Sequence, residues 1–241
     1  HFGGSPSFSV DLTDFVKPGN LHSLVLYVKS DLRNRVQPVG KQSTHYSSYG
    51  CNYTRTTGIW QTVWMEAVHP KALKSVQVIT DIDNAQVIVN PMFYSLGGTR
   101  LRAILRDGEK VVVQKTITAS ESTPLILPVK KAKLWSPESP FLYDLDYEVL
   151  DEQGNVVDQV HSYVGMRKIH AEGNRLYLNN EPYYLRMVLD QGYYPESQWT
   201  APSDSALKND ILLSKAIGFN GARLHQKVFE ERFHYWADKL G

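Results

Sequence analysis

The residues best placed to do chemistry lie in the stretch "GFNGARLHQKVFEERFHYWADKLG", from Gly218 to Gly241. Residues 219–224 read as a short sheet strand, and Arg223, His225, Gln226 and Lys227 fall at or just past its C-terminal end. In parallel α/β folds, binding and catalysis sit at that end of the strands. These four side chains therefore belong in the wall of an active site. The flanking residues support the same reading. Ser203 after Pro202 suits an N-cap, Asp204 suits a first turn, and Gly218 closes a helix running to residue 217. Beyond the strand, Phe233, Trp236, Ala237 and Leu240 recur at i, i+3, i+4 and i+7, one apolar face of a second helix with Gly241 in C-cap position.

Other chemistry-bearing residues have plainer readings. Glu230, Glu231 and Asp238 sit where helix starts and solvated faces normally carry charge. The single cysteine, Cys51, excludes an intrachain disulfide and a cysteine-based metal cluster, and no neighbouring base marks it as a nucleophile. It leaves cytoplasm and periplasm or secretion equally open. With 26 basic residues interspersed among 25 acidic ones and a net charge of +1, nothing argues for nucleic acid or an anionic membrane. No apolar run approaches the roughly 20 residues of a membrane helix. The 5 Trp and 14 Tyr suit sugar stacking, although core packing is their commoner use. Because the sequence opens on His1, an upstream segment is expected.

The elements that must position these residues come in three blocks. Residues 1–70 are expected to be part of a β-sandwich, with strands at 7–11, 21–29 and 61–68 and a turn at "KPGN". Between them, residues 30–58 form a long polar loop whose Tyr46, Tyr49, Asn52 and Tyr53 favour a binding role. Residues 71–170 predict a seven-stranded, immunoglobulin-like sandwich, with strands at 75–81, 86–89, 99–106, 110–118, 123–127, 141–150 and 156–164. From 171 the pattern becomes a hairpin around Asn179-Asn180, then a mostly apolar strand at 183–189 of the kind buried on both faces, then helix, strand and helix. That β, α, β, α order opens a parallel barrel or a doubly wound sheet.

Four stretches carry a resemblance. "HFGGSPSFSVDLTDFVKPGNLHSLVLYV" with "YTRTTGIWQTVWMEAVHP", "LWSPESPFLYDL", and "VGMRKI" with "LYLNNEPYYLRMV" and "GFNGARLHQ" resemble, in order, segments of glycoside hydrolase family 2, the β-galactosidase, β-glucuronidase and β-mannosidase group. The resemblance implies a multidomain, mainly β chain. It would comprise the C-terminal part of a jelly-roll sugar-binding domain at 1–70, an immunoglobulin-like sandwich at 71–170, and the first βαβα portion of a TIM (β/α)8 barrel at 171–241. It also implies a portion of a retaining hydrolase of terminal β-glycosides, β-galactosidase-like, whose partner is a carbohydrate.

The two glutamates such a mechanism uses lie on later barrel strands, so no catalytic residue is expected within this chain, and the chain alone is expected to be inactive. Arg223 matches the arginine that would hold the nucleophilic carboxylate ionised. Relatives place a histidine three positions later, where this chain has Gln226 while His225 comes one earlier; the sugar-contact role is left open between them. Asp190 and Gln191 end the first barrel strand, where a carboxylate would accept sugar hydroxyls. Tyr193, Tyr194 and Trp199 could floor a sugar subsite or pack against a neighbouring domain. Asn52 falls where some relatives reach the barrel mouth from the first domain. No metal site or cofactor is expected in these residues; the resemblance permits a divalent or sodium ion and a homo-oligomeric state in the parent protein. The competing reading is a non-catalytic carbohydrate-binding or interaction protein built of β-sandwiches, against which the βαβα tail argues.

Overall fold

A computed structural model describes residues 1–34 and 36–241, which divide into two compact units. One comprises residues 65–187, 211–221 and 235–241; the other comprises 1–64, 188–210 and 222–234.

The first of these units holds the large apolar core. All seven strands expected between 71 and 170 are present: β1 (Leu73–Asp81), β2 (Gln86–Phe93), β3 (Arg100–Asp107), β4 (Lys110–Thr118), β5 (Leu125–Pro128), β6 (Tyr143–Leu150) and β7 (Val156–Val164). They form two antiparallel sheets, ordered β1-β2-β5 and β4-β3-β6-β7. The period-2 pattern sets which face is buried. In β2, Val87, Val89 and Phe93 point inward; in β6, Tyr143, Leu145, Tyr147 and Val149 do the same, against Leu101, Ala103 and Leu105 of β3.

β2 runs past Pro91 to Phe93, beyond the 86–89 expected from the sequence. Beyond Val89 it pairs only with β1, so one side carries no ladder and a residue without an N–H is tolerated there. The segment that follows makes a three-stranded sheet of β8 (Ile169–Glu172), β9 (Arg175–Leu178) and β10 (Glu181–Pro182). Asn179 and Asn180, at φ 55° and 69°, give the two left-handed residues its tight hairpin needs.

The second unit is built largely from loops. The strand expectations at 7–11, 21–29 and 61–68, the last running into the other unit from Met65, are corrected: those segments enter no ladder. Leu24 is 66% exposed and its neighbour Val25 88%, so neither face of the alternation is buried. An alternating strand is stable only against a paired neighbour and a covering layer, and the described residues supply neither. The polar loop is nevertheless folded. Gln42 bridges Tyr53, Tyr49 bridges Asn52, and the buried Ser43 hydroxyl donates to the Ser47 carbonyl at 2.8 Å.

Four further elements have residues in both units: β11 (Met187–Asp190), α1 (Asp204–Ala216), β12 (Gly221–Leu224) and α2 (Glu231–Leu240). β11 and β12 pair, and the bonds from Asn220 N–H to Arg186 and from His225 N–H to Asp190 advance together along both strands, so the pair is parallel. The expected strand at 183–189 is thus shorter than predicted and only half buried, because β12 is its sole ladder partner among the described residues.

Candidate functional site

The site is assembled at the C-terminal ends of β11 and β12, from residues 188–210 and 222–234 and from the loop 39–60, all of one unit. The parallel pairing fixes its base, since His225 N–H donates to the Asp190 carbonyl at 2.8 Å. The Asp190 carboxylate turns back to accept the Gly192 N–H at 2.8 Å and is half-buried. Burial raises its pKa above the ordinary carboxylate value; the Gly192 bond and Lys227 offset part of that and Asp210 adds to it.

His225 follows the end of β12. Packing, then the positive charges of Lys41 and Arg223, lowers its pKa, and its Nδ1 is buried without a partner. Gln226 takes a left-handed backbone, φ 55°, with its side chain exposed. That turn is matched by Gly40 (φ 59°), where a Cβ would run into the Gln226 carbonyl oxygen and press on the Trp199 ring. Only glycine lets the two backbones approach so closely. Arg223 is exposed, and among the described residues no carboxylate forms an ion pair with it.

Aromatic side chains wall this end. Tyr193 stacks on Tyr53 with centroids 4.1 Å apart, and the buried Trp199 meets Tyr193 edge-on at 5.1 Å and Trp60 at 5.5 Å. The Tyr193 hydroxyl and the Gln191 amide oxygen are buried and have no partner. Burial also raises the Tyr193 pKa. Tyr194 takes a different path: its hydroxyl donates to Asp210 at 2.8 Å, and the two residues anchor the loop to α1. Asn52 is held by backbone bonds to Tyr49 beside Tyr53, half-exposed, with no side-chain hydrogen bond among the described residues.

Among the expected residues, then, the structure joins Asp190 to His225 by a hydrogen bond and sets Gln226 beside Trp199 through Gly40. Asn52 connects to the wall only through its neighbour Tyr53, and Arg223 only through its charge on His225. The sequence reading places Lys227 at the strand end with Arg223, His225 and Gln226 but gives it no contact of its own. Its Nζ donates to the Gly192 and Trp199 carbonyls, each at 2.5 Å, and burial lowers its pKa to about 8 against the opposing influence of Glu230 and Asp190. A lysine directly after a strand end and ahead of Val228-Phe229 was the available signal. Among the described residues no three His, Cys, Asp or Glu side chains come together as metal ligands. No helix among them is long and apolar enough to cross a membrane.

The architecture is mainly β, with a polar, aromatic-walled strand end. Residues 71–167 match the family model described as Glycosyl hydrolases family 2. A β-glucuronidase of Paenibacillus borealis is 25% identical across the whole chain, which spans 41% of that protein. A β-galactosidase of Pseudoalteromonas haloplanktis is 32% identical over 48% of the chain and 11% of its own length. The solved β-D-glucuronidase of Dictyoglomus thermophilum superposes with a TM-score of 0.62 at 25% identity, over 71% of this chain and 28% of that one. The match to glycosyl hydrolase family 2 is thus carried by residues 71–167, and the chain spans less than half the length of these relatives.

Proposed function

We propose that this chain is a portion of a retaining glycoside hydrolase that cleaves terminal β-glycosides, and that the ends of β11 and β12 bind the terminal sugar. In that reading residues 1–70 are the C-terminal part of a jelly-roll domain, 71–170 an immunoglobulin-like sandwich and 171–241 the start of a TIM barrel. The observation that carries it is the main-chain bond from His225 to Asp190, which brings the residues bearing a half-buried carboxylate and an imidazole nitrogen without a hydrogen-bond partner among the described residues to one strand end, where Tyr193 and Trp199 follow. A sugar presents hydroxyls to the first two and an apolar ring face to the rings. Asp190 accepts two hydroxyl protons, His225 or Gln226 contacts a third hydroxyl, and Asn52 reaches the same sugar from its loop. Arg223, exposed and unpaired, holds ionised the nucleophilic carboxylate of a pair about 5 Å apart, the spacing of a retaining mechanism. No glutamate of this chain is assigned either role.

A β-galactoside is the substrate that the family resemblance puts first. Among the relatives that align with the whole chain, one at 25% identity is named a β-glucuronidase and one at 22% a β-galactosidase, which makes the β-glucuronide the second reading. A substrate panel decides between them. A protein carrying this chain together with both glutamates is expected to release product from one of the two chromogenic glycosides with retained configuration, and the 241-residue chain from neither. Turnover by the isolated chain, or product of inverted configuration, would overturn the proposal.

A further inference from the structure

Lys227 has no part in the hydrolytic reading, yet it is the most extensively engaged side chain at the strand ends. Its ammonium donates to the carbonyls of Gly192 and Trp199, which lie near the two ends of the aromatic loop, at 2.5 Å each. Four rings surround it, with centroids at 5.1 Å (Phe229), 5.4 Å (Trp60 and Trp199) and 6.0 Å (Tyr193). Among the described residues no carboxylate forms an ion pair with it. Withdrawing an ammonium from water is costly, and carbonyl dipoles and ring faces are what restore its solvation here.

The loop is shaped to meet that charge. Gly192 (φ 63°) and Gln198 (φ 63°) turn its two ends, and Tyr194 and Gln198 exchange backbone bonds at 2.9 Å across it. A Cβ at Gly192 would strike the Phe229 ring and the Lys227 stem, so the backbone lies directly on the lysine. The rings that the loop carries, Tyr193 and Trp199, are the wall of the site. Tyr193 Oη and Gln191 Oε1, buried and without partners, are polar positions that a hydroxylated ligand would satisfy.

We propose that Lys227 is the positioning residue of this site: by holding the carbonyls of Gly192 and Trp199 together it fixes Tyr193 and Trp199 as the wall on which a terminal sugar ring is seated. The ligand in this statement rests on the sugar-site reading above; the clamp does not. A lysine suits the task because a compact ammonium fits among four rings with less displacement than a planar guanidinium.

The test is hydrogen exchange on the 241-residue chain and its Lys227→Met variant, with saturation-transfer binding of methyl β-D-galactopyranoside and D-glucuronic acid as the second readout. Exchange within 191–200 is expected to rise about tenfold or more in the variant while the sandwich at 71–167 is unchanged, since two buried carbonyls lose their donor. The sugar signal of the wild type is expected to vanish with it. Lys227→Arg, which keeps charge and donors, is expected to recover part of both. Loop exchange unchanged in the variant overturns the clamp. A loosened loop that still binds sugar as the wild type does overturns the wall. A loosened loop in a protein whose wild type binds neither sugar leaves the clamp standing and removes the sugar-site reading. If Lys227→Met also loses protection at 71–167, the same comparison is read from Lys227→Gln and Lys227→Arg, where equal loop exchange in both overturns the clamp.

Discussion

Asp190 and Lys227 are both pushed toward their neutral forms, and the direction of each shift states what the residue does to stability. The Asp190 pKa is raised in the folded chain, so the folded state holds its proton more tightly than the unfolded one. Stability therefore falls as pH climbs from the ordinary carboxylate value through the folded one, and the full cost is present at neutral pH. A carboxylate kept where it lowers stability is what the proposed sugar-binding role of Asp190 calls for. Asp190→Asn retains the acceptor for the Gly192 N–H while removing the charge. It is expected to raise the unfolding free energy at pH 7 by up to about 1 kcal/mol, discounted for the solvent that reaches the group. At pH 3 the gain should disappear, and sugar binding should be lost at both. Urea titrations at the two pH values check the sign; a destabilised variant at pH 7 would contradict it.

Among the elements, the "LWSPESP" segment shows how a sequence motif becomes a fixed junction within one unit. Trp135 donates its indole N–H to the Asp238 carbonyl at 2.6 Å and lies 4.5 Å beneath the Arg167 guanidinium. Arg167 in turn pairs with Asp238 at 2.8 Å, and the Tyr163 hydroxyl donates to the same carboxylate at 3.1 Å, which helps to raise the Tyr163 pKa, mainly through burial, to about 12. Asp238 is thus an anchor of α2 rather than the solvated helix charge expected of it. Trp135→Phe keeps a ring under Arg167 and removes the donor, and is expected to cost about 1–2 kcal/mol of that unit's stability. A chemical melt followed by sandwich tyrosine signals measures it, and an unchanged midpoint would show the bond to be dispensable.

The sandwich strands were legible because each alternates, is bounded by Gly, Asp-Gly or Asn turn signals and finds its partner nearby. The strand expectations at 21–29 and 61–68 rested on the same alternation and failed because periodicity says which face is apolar, not whether a partner exists to cover it. At the site, Asp190 and His225 were legible from their strand ends. Lys227 was legible there too, but its cage was not, because it is drawn from Trp60, Tyr193, Trp199 and Phe229, residues of three separate segments that only folding brings together.

Over the whole molecule, the two units differ in what holds each together. The sandwich unit buries Val87, Leu101, Leu105, Leu125, Leu127 and Leu145 completely within one continuous core, whereas the site unit relies on a few partly separate residues such as Leu32, Trp199, Leu207, Phe229 and Phe233. Apolar burial is the dominant source of stability, so the site unit should open first and by itself. Amide exchange across a urea series is expected to show residues 1–64 losing protection at lower denaturant than β3 and β6. Leu145→Ala separates the units further: it removes a fully buried side chain and is expected to cost the sandwich about 2–5 kcal/mol, lowering its midpoint while the site unit's transition stays in place. A single transition that shifts as one in that variant would mean that the core of the sandwich also sets the stability of the sugar-site loops, and that the two units fold as one cooperative body.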